Sequence, residues 1–152
     1  MSVYRPVVMI NGKLTLLPPG DTLSARVQEV DIIEMVAKEA LLSGMAVYCS
    51  AGFQIMKAKA DDDARAEVLG LVATAAALDA SVQVQTDGVI ELADWTGVIG
   101  TTSLTAGADY FVDTTAGQLT ATVPSSGNLV CIGRAIAPQK LEISIQRPIK
   151  LS

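Results

Sequence analysis

The sequence predicts an all-β protein: a compact barrel or sandwich of two similar four-strand halves, with an N-terminal hairpin and at most one short helix. Three observations carry that prediction. A shift of 63 residues, the distance from Gly44 to Gly107, also lays Gly70 on Gly133, Leu78 on Leu141, Ser81 on Ser144 and Gln83 on Gln146. Apolar pairs fall between these anchors, among them Tyr48 on Phe111, Val68 on Cys131, Leu69 on Ile132 and Val82 on Ile145. Second, the residues 141–146 alternate strictly between apolar and polar, the period of a strand with one buried face. Third, Asn11-Gly12 stands between two apolar β-forming runs, a hairpin signal because both central residues of a type I′ turn need positive φ.

In chain order, Pro6 to Leu17 reads as that hairpin, and Pro18-Pro19-Gly20-Asp21 ends the pairing because proline gives up its N–H. The front segment, residues 1–22, lies outside the repeat. It is either an arm that docks elsewhere or an extra pair of strands on the protein's own body. Residues 23–152 form the β domain, with the repeat at about 41–90 and 104–152. Val27 to Gly44 reads as a strand over Glu29–Val36 followed by a short helical turn near Ala37–Leu42. The first copy then holds strands at 45–50, 53–59, 67–74 and 81–86; the second holds them at 109–113, 118–123, 129–137 and 141–146. A two-residue gap in the first copy brings the turn Ala51-Gly52 over Ala116-Gly117, where glycine tolerates positive φ. Polar loops at 60–66 and 124–128 occupy matching places. Trp95, in the connector between copies, has the apolar area to suit a seam or a subunit interface.

Composition narrows the function. At 152 residues the chain is long enough to bury a real core, and with 50% apolar but only 4% aromatic residues that core rests on Ala, Val, Ile and Leu. Eleven basic against sixteen acidic residues argue against nucleic acid, which needs a dense Lys/Arg face. There is no histidine, so the commonest general base near neutral pH and the commonest transition-metal ligand are missing. Cys49 and Cys131 sit among strand-like neighbours and read as buried reduced thiols. No leading segment has the pattern of a signal peptide, and the longest apolar-rich stretch, Val68 to Leu78, is too short to span a bilayer.

Motif by motif, no catalytic, cofactor or metal site emerges. Asp61-Asp62-Asp63 lacks the alternating spacing of a calcium loop and reads as solvated. Gly97-x-x-Gly100 followed by Thr101-Thr102-Ser103 lacks the lysine and the long helix of a phosphate loop. Ser125-Ser126-Gly127 has no partner histidine and reads as a turn. Trp95, Tyr48, Tyr110 and Phe111 are aromatics able to stack on sugar, but a core role is the simpler reading. The expectation is a non-enzymatic protein without cofactor.

Several stretches nevertheless carry a likeness: the Leu17-x-x-Gly20-Asp21-Thr22-Leu23 opening, the step Ala40-Leu41-Leu42-Ser43-Gly44-x-x-Val47, the strand Val68-Leu69-Gly70-Leu71-Val72, Gly107-x-x-Tyr110-Phe111-Val112-Asp113, and Ile132-Gly133-Arg134-Ala135-Ile136. In these the chain resembles small virion surface proteins of tailed bacteriophages, of the head-decoration and head-fibre kind. The likeness runs over most of the chain from about Leu14. It implies an all-β homo-oligomer, a trimer, that is made in the host cytoplasm and decorates or stabilises the capsid by binding the major capsid protein or its neighbours, without nucleic acid or membrane. It implies no active-site residues. A tail, neck, baseplate or fibre component, or a carbohydrate-binding adhesin on the virion, are the alternatives. The Ala-rich stretch Val72 to Leu78 offers small side chains for close subunit approach.

Overall fold

The computed structural model describes residues 7–10, 13–16 and 31–151. The Asn-Gly hairpin forms as read: β1 (Val7–Ile10) pairs antiparallel with β2 (Lys13–Leu16), and Ile10 faces Lys13 across the turn. The rest of residues 1–30, and with it the choice between arm and core hairpin, lies outside the described residues.

The body is all-β with one short helix, and its repeated unit has five strands rather than four. In the first copy, β3 (Ile32–Ala37), β4 (Ala46–Ala51), β5 (Gln54–Lys57), β6 (Val68–Val72) and β7 (Ser81–Gln85) close a barrel in the order β3-β5-β4-β6-β7. In the second copy, β8 (Gly88–Glu91), β9 (Asp109–Val112), β10 (Leu119–Thr120), β12 (Cys131–Ala137) and β13 (Lys140–Ile143) make a sheet in the order β10-β9-β12-β13-β8. The two orders are the same once β3 is matched with β8. They differ in closure: β3 pairs in parallel with β5 through Val36 and Ala37, whereas the chain leaves β8 for α1 (Thr96–Ile99). A separate ribbon joins β11 (Gly127–Leu129) to β14 (Ile149–Leu151).

Backbone hydrogen bonds repeat at the 63-residue shift. Leu41 N donates to Ala76 O and Leu104 N to Pro138 O, both at 2.8 Å. Gly44 N donates to Val72 O and Gly107 N to Ala135 O, both at 2.7 Å. Val47 opposes Gly70 as Tyr110 opposes Gly133, and one bulge in each copy then sets Tyr48 against Val68 and Phe111 against Cys131. Gly70 and Gly133 answer one demand: a Cβ would lie 2.5 Å from Gln85 O in the first copy and 1.9 Å from Glu142 O in the second. No side chain fits where neighbouring backbones approach that closely.

The shift does not hold throughout. Leu71 faces Gln85 and Arg134 faces Glu142, so the fourth strands correspond at 57 residues, and the alignment of Ser81 on Ser144 is corrected. The cause is a shorter connection in the second copy, where Pro138-Gln139 does the work of residues 73–80. Between first and second strands the gap is one residue rather than two, since Ile55 faces Cys49 and Leu119 faces Val112. The helical turn expected near Ala37–Leu42 is instead a bend held by a bridge between Leu41 and Ala76; the helix lies at Thr96–Ile99.

One core runs through both copies. Gln85 shares the outer face of β7 with exposed Ser81 and Gln83, yet Gln85, Leu71 and Ala46 in the same cross-strand row are buried. The second copy covers this row. Gly117, left-handed at φ 78°, donates its N–H to Ala58 O at 2.8 Å and accepts from Ala46 N at 3.1 Å. Its missing Cβ leaves room for Met45 Sδ and Lys57 Cγ, each 3.1 Å from where it would stand. Trp95 is fully buried, with Nε1 donating to Gln139 O at 3.2 Å. Its ring edge lies 3.2 Å from the Cβ position of Gly44, so it fills the seam between copies.

Candidate interaction surface

The residues weighed as chemical sites are held apart or occupied. In the acidic loop, Asp61 pairs with Lys59 at 3.3 Å, Asp62 Oδ1 accepts from Ala64 N at 3.0 Å, and Asp63 accepts from Asn128 Nδ2 at 3.0 Å and from Lys150 Nζ. The Lys150 hydrogen bond, then that of Asn128, hold the Asp63 carboxyl below its usual range. The carboxylates diverge, and Asp63 fastens the β11–β14 ribbon to the loop. Among the described residues no three His, Cys, Asp or Glu side chains gather as a metal site.

Gly100 ends the four-residue α1 in a left-handed conformation, and Thr101 Oγ1 donates to Ser103 O at 3.1 Å. Asp94 Oδ1 accepts from Thr96 N at 2.8 Å and from Thr96 Oγ1, two bonds that keep its carboxyl low. The segment is a capped turn, not a phosphate cradle. Ser125 and Ser126 line a shallow groove with Asp113, Thr114, Thr120 and Thr122.

The cysteines are free, but Cys49 is exposed rather than buried and Cys131 is half-buried. Burial, then the charge of Asp109, push the Cys131 thiol up, away from the thiolate a nucleophile needs. Cys131 borders a shallow polar groove with Asp109, Arg134, Glu142 and Ser144. There Arg134 donates to both oxygens of Asp109, at 2.8 and 3.3 Å, and this lowers the Asp109 carboxyl. The row Asp109–Arg134–Glu142 corresponds to Ala46–Leu71–Gln85 of the first copy. One copy buries this face against its sister, and the other shows it, charged, to solvent.

The aromatics divide. Trp95 and Tyr110 are buried, the Tyr110 hydroxyl accepting from Thr105 N at 2.9 Å, while Tyr48 and Phe111 are half-buried. None of the four stands free to stack on sugar. The exposed aromatic is Phe53, at 73%, and sequence reasoning passed over it. It, not Gly52, takes the left-handed conformation of the β4–β5 turn, at φ 56°. The registers make it the counterpart of Gly117, so the strain falls on a bulky residue where the second copy has glycine. Phe53 O accepts from Val36 N at 2.8 Å, which sets it beside β3.

The outer face of β3 is apolar. Ile32 faces Gln85 and Val36 faces Ser81 across the pairing with β7, and Ile32 and Val36 are 48% and 37% exposed. Elsewhere Leu42, Leu78, Val123, Ile136 and Ile149 also stand out, and in the Ala-rich stretch Thr74, Ala75, Ala77 and Leu78 are exposed. Period-two patterning marked this side of β3 only weakly, because Ile32 and Ile33 are both apolar and expose both faces. No helix among the described residues is long and apolar enough to cross a membrane. No protein-family model matches the chain, and no curated protein matches it either.

Proposed function

We propose that this is a non-enzymatic structural protein of a bacteriophage particle, a homotrimer that decorates or stabilises the head by binding the major capsid protein or its neighbours. One observation carries the reading. The polar side chains described above are spent on local pairs and caps around shallow grooves, while large apolar side chains stand on the outside of a rigid double β unit. Such a molecule offers surface rather than a pocket. The resemblance to phage head-decoration and head-fibre proteins supplies the setting, and the exposed Ala75, Ala77 and Leu78 supply a flat apolar strip for subunit contact.

Labelling of particles with an antibody against the chain, read by cryo-electron microscopy, tests the proposal. Density on the capsid surface supports it, and labelling confined to the tail or baseplate overturns the head assignment. A folded protein that stays monomeric in light scattering, both free and after release from particles, removes the trimer.

A further inference from the structure

Two apolar faces in this chain lack a cover, and their geometry is complementary. The first is the outer face of β3, where Ile32 and Val36 point away from the barrel core and Phe53 stands beside them in a strained left-handed conformation. The second is the N-terminal hairpin. Its register opposes Val7 to Leu16 and Met9 to Leu14, which puts these four apolar positions on one face of the ribbon. The other face holds Val8, Ile10, Lys13 and Thr15. A two-stranded hairpin is marginal by itself in water and needs an apolar surface to rest on.

We propose that the Val7/Met9/Leu14/Leu16 face of the hairpin packs across β3 of its own chain, over Ile32, Val36 and Phe53. The length of the connection decides for the same chain over a neighbour. Fourteen residues, Leu17 to Val30, separate β2 from Asp31, and the chain then enters β3 itself. At about 3.3 Å per extended residue they reach roughly 45 Å, ample to turn back over a strand that starts where they end. A flexible tether of this kind holds its ends at about millimolar effective concentration, which a free second copy at micromolar concentration does not match. The hairpin is thus a cover for the barrel rather than an arm reaching for a neighbour's sheet edge. This inference stands apart from any role on a particle.

Disulfide trapping tests it in the full-length chain. In a Cys49→Ser, Cys131→Ala background, Leu14→Cys is combined with Val36→Cys, or with Glu142→Cys on the far sheet as a control. The expected result is an intrachain disulfide in the first protein, formed on the order of tenfold faster than in the control. Disulfides that join only different chains, or equal rates in the two proteins, overturn the proposal. Should the cysteine proteins fail to fold, hydrogen exchange on the single variant Val36→Asp gives the same decision. Uncovering the face must speed exchange of the 7–10 and 13–16 amides on the order of tenfold, and unchanged rates overturn the proposal.

Discussion

At the scale of single residues, the two copies act as an internal control. Gly133→Ala would set a methyl 1.9 Å from Glu142 O, and since that atom belongs to a neighbouring strand, the strand itself must move. A loss of about 3 kcal/mol or more is expected. Gly70→Ala meets Gln85 O at 2.5 Å and should cost less. Gly107→Ala meets nothing within 4 Å, so it carries only the strain of its φ of 87°, about 1 kcal/mol. Urea unfolding of the three variants should rank them in that order, and an equal loss in all three would mean that backbone approach is not what selects glycine at 70 and 133. Phe53 makes the converse case. Phe53→Gly relieves a left-handed aromatic whose side chain is mostly in water, and stability should hold or rise by up to about 1 kcal/mol. A loss above 1 kcal/mol would show that Phe53 is packed under a cover in solution, as the hairpin proposal requires. The two expectations therefore separate an uncovered barrel from a covered one.

At the scale of elements, the β11–β14 ribbon hangs on few contacts, and its attachment is the pH-sensitive part of the fold. Asn128 Nδ2 donates to Ala60 O and to Asp63 Oδ1, and Lys150 reaches the same carboxylate. Asp63 therefore titrates below an ordinary aspartate, and the sign follows. Its contribution is fully present above the unfolded value near 4, and is lost as pH falls through the lower folded value. Amide exchange at residues 127–129 should stay slow down to about pH 4 and accelerate below it, before the barrel opens. Asp63→Ala should give the same acceleration at neutral pH, and exchange unaffected by either change would detach the ribbon's order from this carboxylate. Sequence alone hid the ribbon: Gly127 to Leu129 was read as the end of a polar loop, because its partner β14 lies in a tail with no counterpart in the first copy. The shared strands were legible, since Gly44, Gly70, Gly107 and Gly133 sit where backbones crowd and only one residue type serves. The fourth strands were misaligned by six residues because Leu, Ser and Gln mark no such demand and a shorter connection moved them. The fifth strands, β3 and β8, escaped notice for the same reason.

At the scale of the whole molecule, the question is whether two copies of a unit make one folding body or two. The geometry answers for one. Gly117 enters between Ala46 and Ala58 of the first copy, Ala60 N donates to Asp113 O, Asn128 N donates to Ala60 O, and Trp95 is packed against Gly44 across the seam. The second sheet does not close on itself, and part of its free edge at Gly117 is satisfied by the barrel, so losing either copy leaves the other with unpaired backbone groups. Sequence placed Trp95 in the connector but could not tell seam from subunit interface, because burial depends on which faces meet. Unfolding should therefore be a single transition. Far-UV circular dichroism, which follows all the strands, and fluorescence of Trp95, the one tryptophan and a reporter of the seam, should give coincident curves in urea. Two separated transitions, with the fluorescence change first, would mean that the copies are independent domains meeting at a loose interface. Trp95→Phe keeps most of the apolar volume but loses the bond to Gln139 O, and should lower the shared midpoint by about 1–2 kcal/mol without splitting it. Trp95→Ala removes the wedge altogether. A loss of about 3–5 kcal/mol is expected there, spread over both copies at once, because the cavity would open in the core they share.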